Sequence, residues 1–218
     1  MLALLKKDLL LNSWLSYSSF CLFILGAYIT ILSPYITFFI SFFAFCYSVF
    51  YSDDRYRVNQ FIISLPIKRK TMIQSRYLYC MLIVVLIIVL QKVYMLLLLP
   101  VLPEHYYIYG WRDMVLLLCI GFLAIAIAIP ILHMVQAIYA FVIFMVLNSI
   151  FTFFLLDELV KVLHLKDEII FNKLDAGFVL LLEKYIPYYP YIVLTIVTGI
   201  ILYFSMLLTV KIFNTKNC

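Results

Sequence analysis

Charged residues are scarce in this 218-residue chain: they make up 12% of it, while hydrophobic residues make up 67%. The mean hydropathy is +1.12. A soluble domain carries roughly a quarter charged and about half apolar residues. The apolar residues here form runs too long for buried core helices and too poor in charge for a surface facing water, which excludes an ordinary soluble domain.

Sequence signatures of catalysis are also missing. The chain has no GxxxxGK[ST] phosphate loop, no HExxH pair, no paired glutamates within an apolar run and no Gly-Ser nucleophile elbow. A nucleotide site within this chain is therefore excluded, and an intramembrane enzyme is the least favoured class of protein.

No metal site or disulfide framework is predicted. The three histidines, His105, His133 and His164, lie in separate loop or turn regions, which favours structural or interfacial roles over a metal site. The cysteines show no ligand spacing and behave as small apolar side chains; they are Cys21, Cys46, Cys80, Cys119 and Cys218.

Long apolar runs predict an all-α integral membrane protein with six spans, since one crossing needs roughly 20 residues. The run from Trp14 to Tyr51 is divided by Ser33-Pro34, a favourable N-cap and first helical residue. The run from Met114 to Leu156 is divided near Pro130 and His133. The predicted spans of this single domain, residues 1–218, are 14–32, 34–51, 76–99, 114–132, 134–156 and 187–210. Membrane β-strands would need short alternating segments instead.

The first twelve residues predict a short amphipathic helix on the membrane surface before the first span. Its apolar residues recur at helical spacing beside two lysines; the residues concerned are Leu2, Leu5, Lys6, Lys7 and Leu9.

The distribution of cations predicts that both termini face the cytoplasm. In that orientation 10 of the 16 basic residues lie inside: Lys6, Lys7, Arg55, Arg57, Lys68, Arg69, Lys70, Arg76, Lys211 and Lys216. Outside lie Arg112, Lys161, Lys166, Lys173 and Lys184. An even number of spans agrees with this topology.

The inside loop, residues 52–75, combines basic residues with an apolar patch. Positive charge alone is typical of a topological anchor. An anchor does not need the apolar patch, however. The patch is too short to span the membrane and too apolar to be left in water. The patch, interrupted by Pro66, predicts a docking site for a soluble partner; it consists of Phe61, Ile62, Ile63, Leu65 and Ile67.

Lys92 is the only charge well inside an apolar run, and it follows Gln91. The side chain of Lys92 is long enough to carry its ammonium group outward to the membrane interface, and this is the favoured interpretation. The alternative is a role in a translocation path, shared with Gln91, or in contact with a partner.

The stretch from Asp157 to Ile186 predicts an element outside the cytoplasm. Its apolar residues fall on common helical faces: Leu159, Val162 and Leu163 on one, Phe178, Leu181 and Leu182 on the other. Helices dipping into the outer leaflet and an ordinary surface loop with amphipathic turns remain equal alternatives.

The order of two spans, a loop ending FIISLPIKRKTMIQSRYL and a third span resembles the ABC-2 type permeases of bacterial ABC exporters. The length and layout are most similar to the small permease subunits of the staphylococcal phenol-soluble modulin exporter. The match in layout covers the whole chain, and the match in residues is concentrated in Gln60 to Leu78. One departure is the turn from Pro130 to Gln136, where permeases of this group often carry glycine and basic residues.

The resemblance implies the architecture of a type V ABC exporter. Residues 1–12 would be the connecting helix, residues 52–75 would hold the coupling helix, and residues 157–186 would be the outer element. The residues implied in ATPase docking are Gln60, Phe61, Ile62, Ser64, Leu65, Pro66, Ile67, Lys68, Arg69 and Lys70.

The expected function is that of a permease subunit in the bacterial plasma membrane, driven by separate ABC ATPase subunits. ATP and Mg would bind to those subunits, so this chain would bind no cofactor. A second permease, the same or homologous, and the lipid bilayer are the other expected partners; nucleic acid is not one. The aromatic and aliphatic spans favour an amphipathic substrate such as a peptide. The alternative is a scaffold or immunity-type protein that binds a partner through the basic loop and transports nothing.

Overall fold

The structure, a computed structural model, describes residues 2–11, 14–30, 32–55, 69–100, 107–135 and 171–215, with isolated positions between 139 and 150. Every regular element in these ranges is helical. The helices are α1 (Leu2–Leu11), α2 (Trp14–Ile29), α3 (Pro34–Arg55), α4 (Arg69–Leu98), α5 (Trp111–Met134), α6 (Phe171–Tyr185) and α7 (Pro190–Thr215).

The long helices form an antiparallel bundle with two distinct ends. At one end lie the last turns of α3, α5 and α7 and the first turns of α2 and α4, together with α1. We call this the basic end, because α4 begins there with Arg69 and Lys70. At the other, the distal end, lie the turn between α2 and α3, the start of α5 and helix α6.

Within the described ranges, three helices are long and apolar enough to cross a membrane: Arg69–Leu98, Trp111–Met134 and Pro190–Phe213. Within α2 and α3 the apolar stretches Tyr17–Ile29 and Pro34–Phe45 are shorter. Most of the predicted span 134–156 lies outside the described residues. The described ranges therefore support a helical membrane protein without establishing six spans.

The core lies where α3, α4 and α5 meet. Phe38, Ile87 and Leu117, one from each helix, are completely buried. A Cβ atom added at Gly121 would lie 2.7 Å from Val84 Cγ1 and 3.0 Å from Phe38 Cζ. The absence of a side chain at Gly121 is what allows α5 to approach α3 and α4 so closely.

Helix ends differ in detail from the predicted spans. Helix α3 begins at Pro34, where the Ile36 N–H donates to Ser33 Oγ at 3.4 Å. Helix α4 begins at Arg69, inside the predicted loop, because Met72 and Ile73 are buried against the bundle and extend the helix past the apolar run. Helix α5 contains Pro130 and ends at Met134, within the stretch where the sequence predicts a turn.

Helix α6 occupies the last part of the predicted outer element, and residues 157–170 lie outside the described ranges. The chain then turns directly into α7. Tyr189 has a positive φ of 48° at this turn, and its carbonyl accepts hydrogen bonds from the Ile192 and Val193 amides at 3.1 Å. These hydrogen bonds in the first turn of α7 thus hold Tyr189, although it is not glycine, in the left-handed conformation.

Candidate functional site

At the basic end, a buried ion pair joins α1 to α4. Asp8 Oδ1 lies 3.5 Å from Arg76 Nη1, and both side chains are 2% exposed. Lys7 Nζ lies 2.8 Å from the same carboxylate oxygen. Burial, followed by repulsion from Arg76, lowers the pKa of Lys7 below its ordinary value. Ion pairs therefore hold α1 on the bundle, while another face of α1 is exposed.

Tyrosine hydroxyl groups continue this connection. Tyr17 Oη, on α2, donates to the carbonyl of Leu9 at 2.9 Å and lies 3.3 Å from Tyr79 Oη on α4. The carbonyls of the last turn of α1 have no partner within that helix, and Tyr17 satisfies one of them. Helices α1, α2 and α4 are consequently tied together by polar contacts.

Aromatic rings extend the network across the other helices. The Arg76 guanidinium lies 5.3 Å from the ring centroid of Phe50 on α3. Phe50 meets His133 on α5 edge to face at 5.7 Å, and His133 meets Phe213 on α7 at 5.6 Å. Arg69 lies over the Phe213 ring and donates to its carbonyl at 3.1 Å. One chain of contacts thus runs from α1 through α4, α3, α5 and α7 back to the start of α4.

Most of the predicted ATPase-docking residues cannot be placed in the bundle. Gln60, Phe61, Ile62, Ser64, Leu65, Pro66, Ile67 and Lys68 lie outside the described residues. Arg69 and Lys70 form the first turn of α4, where Arg69 contacts Phe213 and Lys70 is exposed.

The predicted connecting-helix residues lie in α1, which begins at Leu2. Lys6 and Leu9 are exposed, and Leu5 and Lys7 are half-buried. Asp8, between two of the predicted residues, makes the buried contact to α4. The available signal in the sequence was a single acid, Asp8, in this helix, with Arg76 as a cation on the same side of the predicted membrane.

Gln91 and Lys92, the predicted path residues, both bond backbone carbonyls near the distal end. Gln91 is completely buried and donates from Nε2 to the carbonyl of Pro34 at 3.1 Å. Lys92 Nζ donates to the carbonyl of Tyr109 at 2.8 Å and lies 5.2 Å from the centroid of that ring. Gln91 thus fixes α4 to the start of α3, and Lys92 reaches towards the bundle end. A role in transport stays a prediction.

Asp113 organises the distal end around the start of α5. It is 3% exposed, and its Oδ1 accepts hydrogen bonds from the hydroxyl groups of Tyr35 at 2.8 Å and Tyr107 at 2.9 Å. Its Oδ2 accepts from the Gly110 amide at 2.9 Å, and a carboxylate is favoured in this first helical turn. Burial and then the bond to Asp113 raise the pKa of Tyr107. Sequence reasoning missed this cluster, although Asp113 stands directly before an apolar run.

Helix α6 lies across the distal end and contacts several helices. Asp175 Oδ1 accepts a hydrogen bond from Ser33 Oγ at 2.5 Å, and the Phe178 ring stacks on Tyr35 at 4.2 Å. Glu183 Oε1 accepts from Arg112 Nη1 on α5 and from Tyr191 Oη on α7, each at 3.0 Å.

The described part of the chain brings together no group of three His, Cys, Asp or Glu side chains that could hold a metal ion. The polar clusters consist of hydrogen bonds and ion pairs between helices. These contacts join the ends of the helices.

Comparison with protein families gives one match that covers nearly the whole chain. Residues 3–214 match the model described as ABC-2 family transporter protein. Comparison with curated proteins and with solved structures gives no match. The family is one of membrane permeases of ABC transporters, which are non-enzymatic subunits and imply ABC ATPase partners. With its apolar helical bundle and a family match over residues 3–214, this chain belongs to the ABC-2 transporter family.

Proposed function

We propose that the chain is the permease subunit of an ATP-driven exporter and that ATPase subunits dock on residues 60–70 at the basic end. The observation that carries this proposal is the contact chain that starts at Arg69, which belongs to this segment and begins α4, and reaches Asp8 in α1. A displacement of the docking segment would act on the first turn of α4. The displacement would then reach the other helices whose residues take part in this chain of contacts.

The steps of this transmission follow the order of the contacts. Arg69 would move Phe213 at the end of α7, and Phe213 would move His133 at the end of α5. Through Arg76, α4 would also act on Phe50 and Asp8. Tightly packed helix ends transmit such shifts because they have few alternative arrangements.

ATP and Mg would be bound by the ATPase subunits, and a second permease would complete the transporter. Helix α7 offers a broad apolar face for lipid or that second permease, since Ile196, Ile200, Phe204 and Leu208 are all exposed. In an ABC-2 transporter this assembly would lie in the bacterial plasma membrane with both termini in the cytoplasm.

The substrate class that suits the chain is an amphipathic molecule, such as a peptide of the phenol-soluble modulin type. Supporting this are the large aromatic surface of the helices and the small number of fixed charges within them. Two cations near the distal end have partners there: Lys92 bonds a backbone carbonyl and Arg112 bonds Glu183.

The docking segment is tested by the variants Phe61→Asp and Leu65→Asp, each co-expressed with candidate ABC ATPases. We expect each variant to lose most ATPase binding, at least tenfold, because a charge replaces an apolar anchor at the interface. The measurement is the amount of ATPase that co-purifies and its ATP turnover. Asn59→Asp adds the same charge outside the apolar patch and should bind as the parent does.

Two outcomes would contradict the proposal. If Phe61→Asp and Leu65→Asp both behave like the parent, the docking segment lies elsewhere. If no ABC ATPase ever co-purifies with the parent chain, a non-transporting scaffold becomes the better interpretation.

A further inference from the structure

Helix α6 contacts the distal end at four separate places. Asp175 bonds Ser33 in the turn between α2 and α3, and Phe178 stacks on Tyr35 at the start of α3. Glu183 bonds both α5 and α7. The helix therefore lies across the ends of four other helices instead of extending any one of them.

We propose that α6 is a hinged lid on the distal end of the bundle, locked where Asp175 meets Ser33 and released when that carboxyl group loses its proton. The hinge is the turn into α7, which keeps the far end of α6 attached at Tyr189. Asp175 lies near the other end of the helix, away from this hinge.

The environment of Asp175 disfavours a negative charge. The side chain is 1% exposed, and its second oxygen, Oδ2, is buried with no hydrogen-bond partner among the described residues. A buried carboxylate oxygen without a donor is costly, whereas a protonated carboxyl group reduces that cost. Burial raises the pKa of Asp175 to about 7; the Ser33 bond acts in the opposite direction, and Asp113 adds repulsion.

None of the side chains that the structure describes places a cation on Asp175. Those that interact with it or its immediate partners are Ser33 from the turn, Tyr28 from α2, Tyr35 from α3, Tyr107 from the segment before α5 and Asp113 from α5. The nearby described cations have other partners: Arg112 bonds Glu183, Lys92 bonds the Tyr109 carbonyl, and Lys184 lies by Tyr185. The described neighbours of the carboxyl group are thus hydroxyl groups and one further acid.

The direction of the pH dependence follows from these contacts. Because the pKa of Asp175 is higher in the docked helix than in water, docking is most favourable below about pH 4. The stabilisation is lost as the pH rises towards about 7, the pKa of the docked state. Between pH 5 and pH 7 the docking equilibrium should fall about fiftyfold, with a shallower dependence as the pH approaches the pKa of the docked state.

The lid is tested by electron–electron distance measurements between spin labels on full-length protein in lipid nanodiscs. The labels replace Leu180 on α6 and Ile29 at the end of α2, both exposed, after the five native cysteines are changed to alanine. At pH 5 we expect one narrow distance distribution. At pH 8 we expect a second, longer population from the undocked lid.

Three variants separate the lock from other effects. Asp175→Asn keeps a neutral group that Ser33 can bond, so its distribution should stay narrow at both pH values. Ser33→Ala should broaden the distribution already at pH 5. Glu183→Gln, which changes another carboxylate of the same helix, should retain the pH response of the parent.

A parent distribution that is identical at pH 5 and pH 8 would overturn the lid, as would an Asp175→Asn variant that responds to pH as the parent does. The distances require neither ATPase nor substrate. The lid does not depend on the proposed function, so failure of export would leave the distance result intact.

Discussion

Replacing Arg76 with methionine should destabilise the protein by about 3 kcal/mol, since buried Asp8 then keeps only the half-buried Lys7 as a cationic partner. Asp8 and Arg76 are each 2% exposed, so water cannot take over the lost interaction. For a chain of this size the loss corresponds to a fall in melting temperature of roughly 10 °C. Thermal unfolding of the purified protein in detergent measures it.

The double variant Asp8→Asn/Arg76→Met should recover most of that stability, because no buried carboxylate is then left beside the missing guanidinium. Lys70→Met removes an exposed cation from the same helix and should change stability by less than about 0.5 kcal/mol. Equal effects of Arg76→Met and Lys70→Met would show that the ion pair does not hold α1 on the bundle.

Adding a methyl group at Gly121 should cost about 1–3 kcal/mol, and Gly121→Leu should prevent the native packing of α5 altogether. The new Cβ would lie 2.7 Å from Val84 Cγ1, and both Val84 and Phe38 are completely buried. Valine is branched at Cβ and has little freedom to rotate away. The measurement is again thermal unfolding, together with the yield of monodisperse protein.

Gly199→Ala is the matched control, since a Cβ there meets no atom within 4 Å. In the middle of α7 alanine should be neutral or stabilise by up to about 1 kcal/mol. The double variant Gly121→Ala/Val84→Ala should be less destabilised than the sum of the two single changes, because Val84 supplies the clash. Full additivity would mean that close approach of α4 and α5 is not the function of Gly121.

The helical membrane architecture was predictable from the sequence because it depends on the length of apolar runs. Ser33-Pro34 predicted the start of α3, since an N-cap followed by proline is a local signal that acts whatever surrounds it. The same residue, Ser33, also bonds Asp175, far away along the chain. That second role depends on which helices pack together and leaves no local pattern.

The polar contacts between helices were only partly predictable. Asp8 and Arg76 stand out as charges near apolar runs, yet their pairing requires knowing that α1 docks on α4. Lys92 was expected to reach outward, and its bond to the Tyr109 carbonyl gives its ammonium group a partner in the segment before α5. The predicted docking patch around Phe61 lies outside the described residues, so it stands on the sequence and the family alone.

The most direct test of the central claim, a permease whose basic end faces the cytoplasm, is labelling of single cysteines in intact cells. In a cysteine-free background, Lys68→Cys marks the basic loop and Lys184→Cys marks the exposed side of α6. A maleimide that does not cross membranes should label position 184 in intact cells, and position 68 only after the membrane is permeabilised. Labelling of position 68 in intact cells would invert the topology and contradict ATPase docking there.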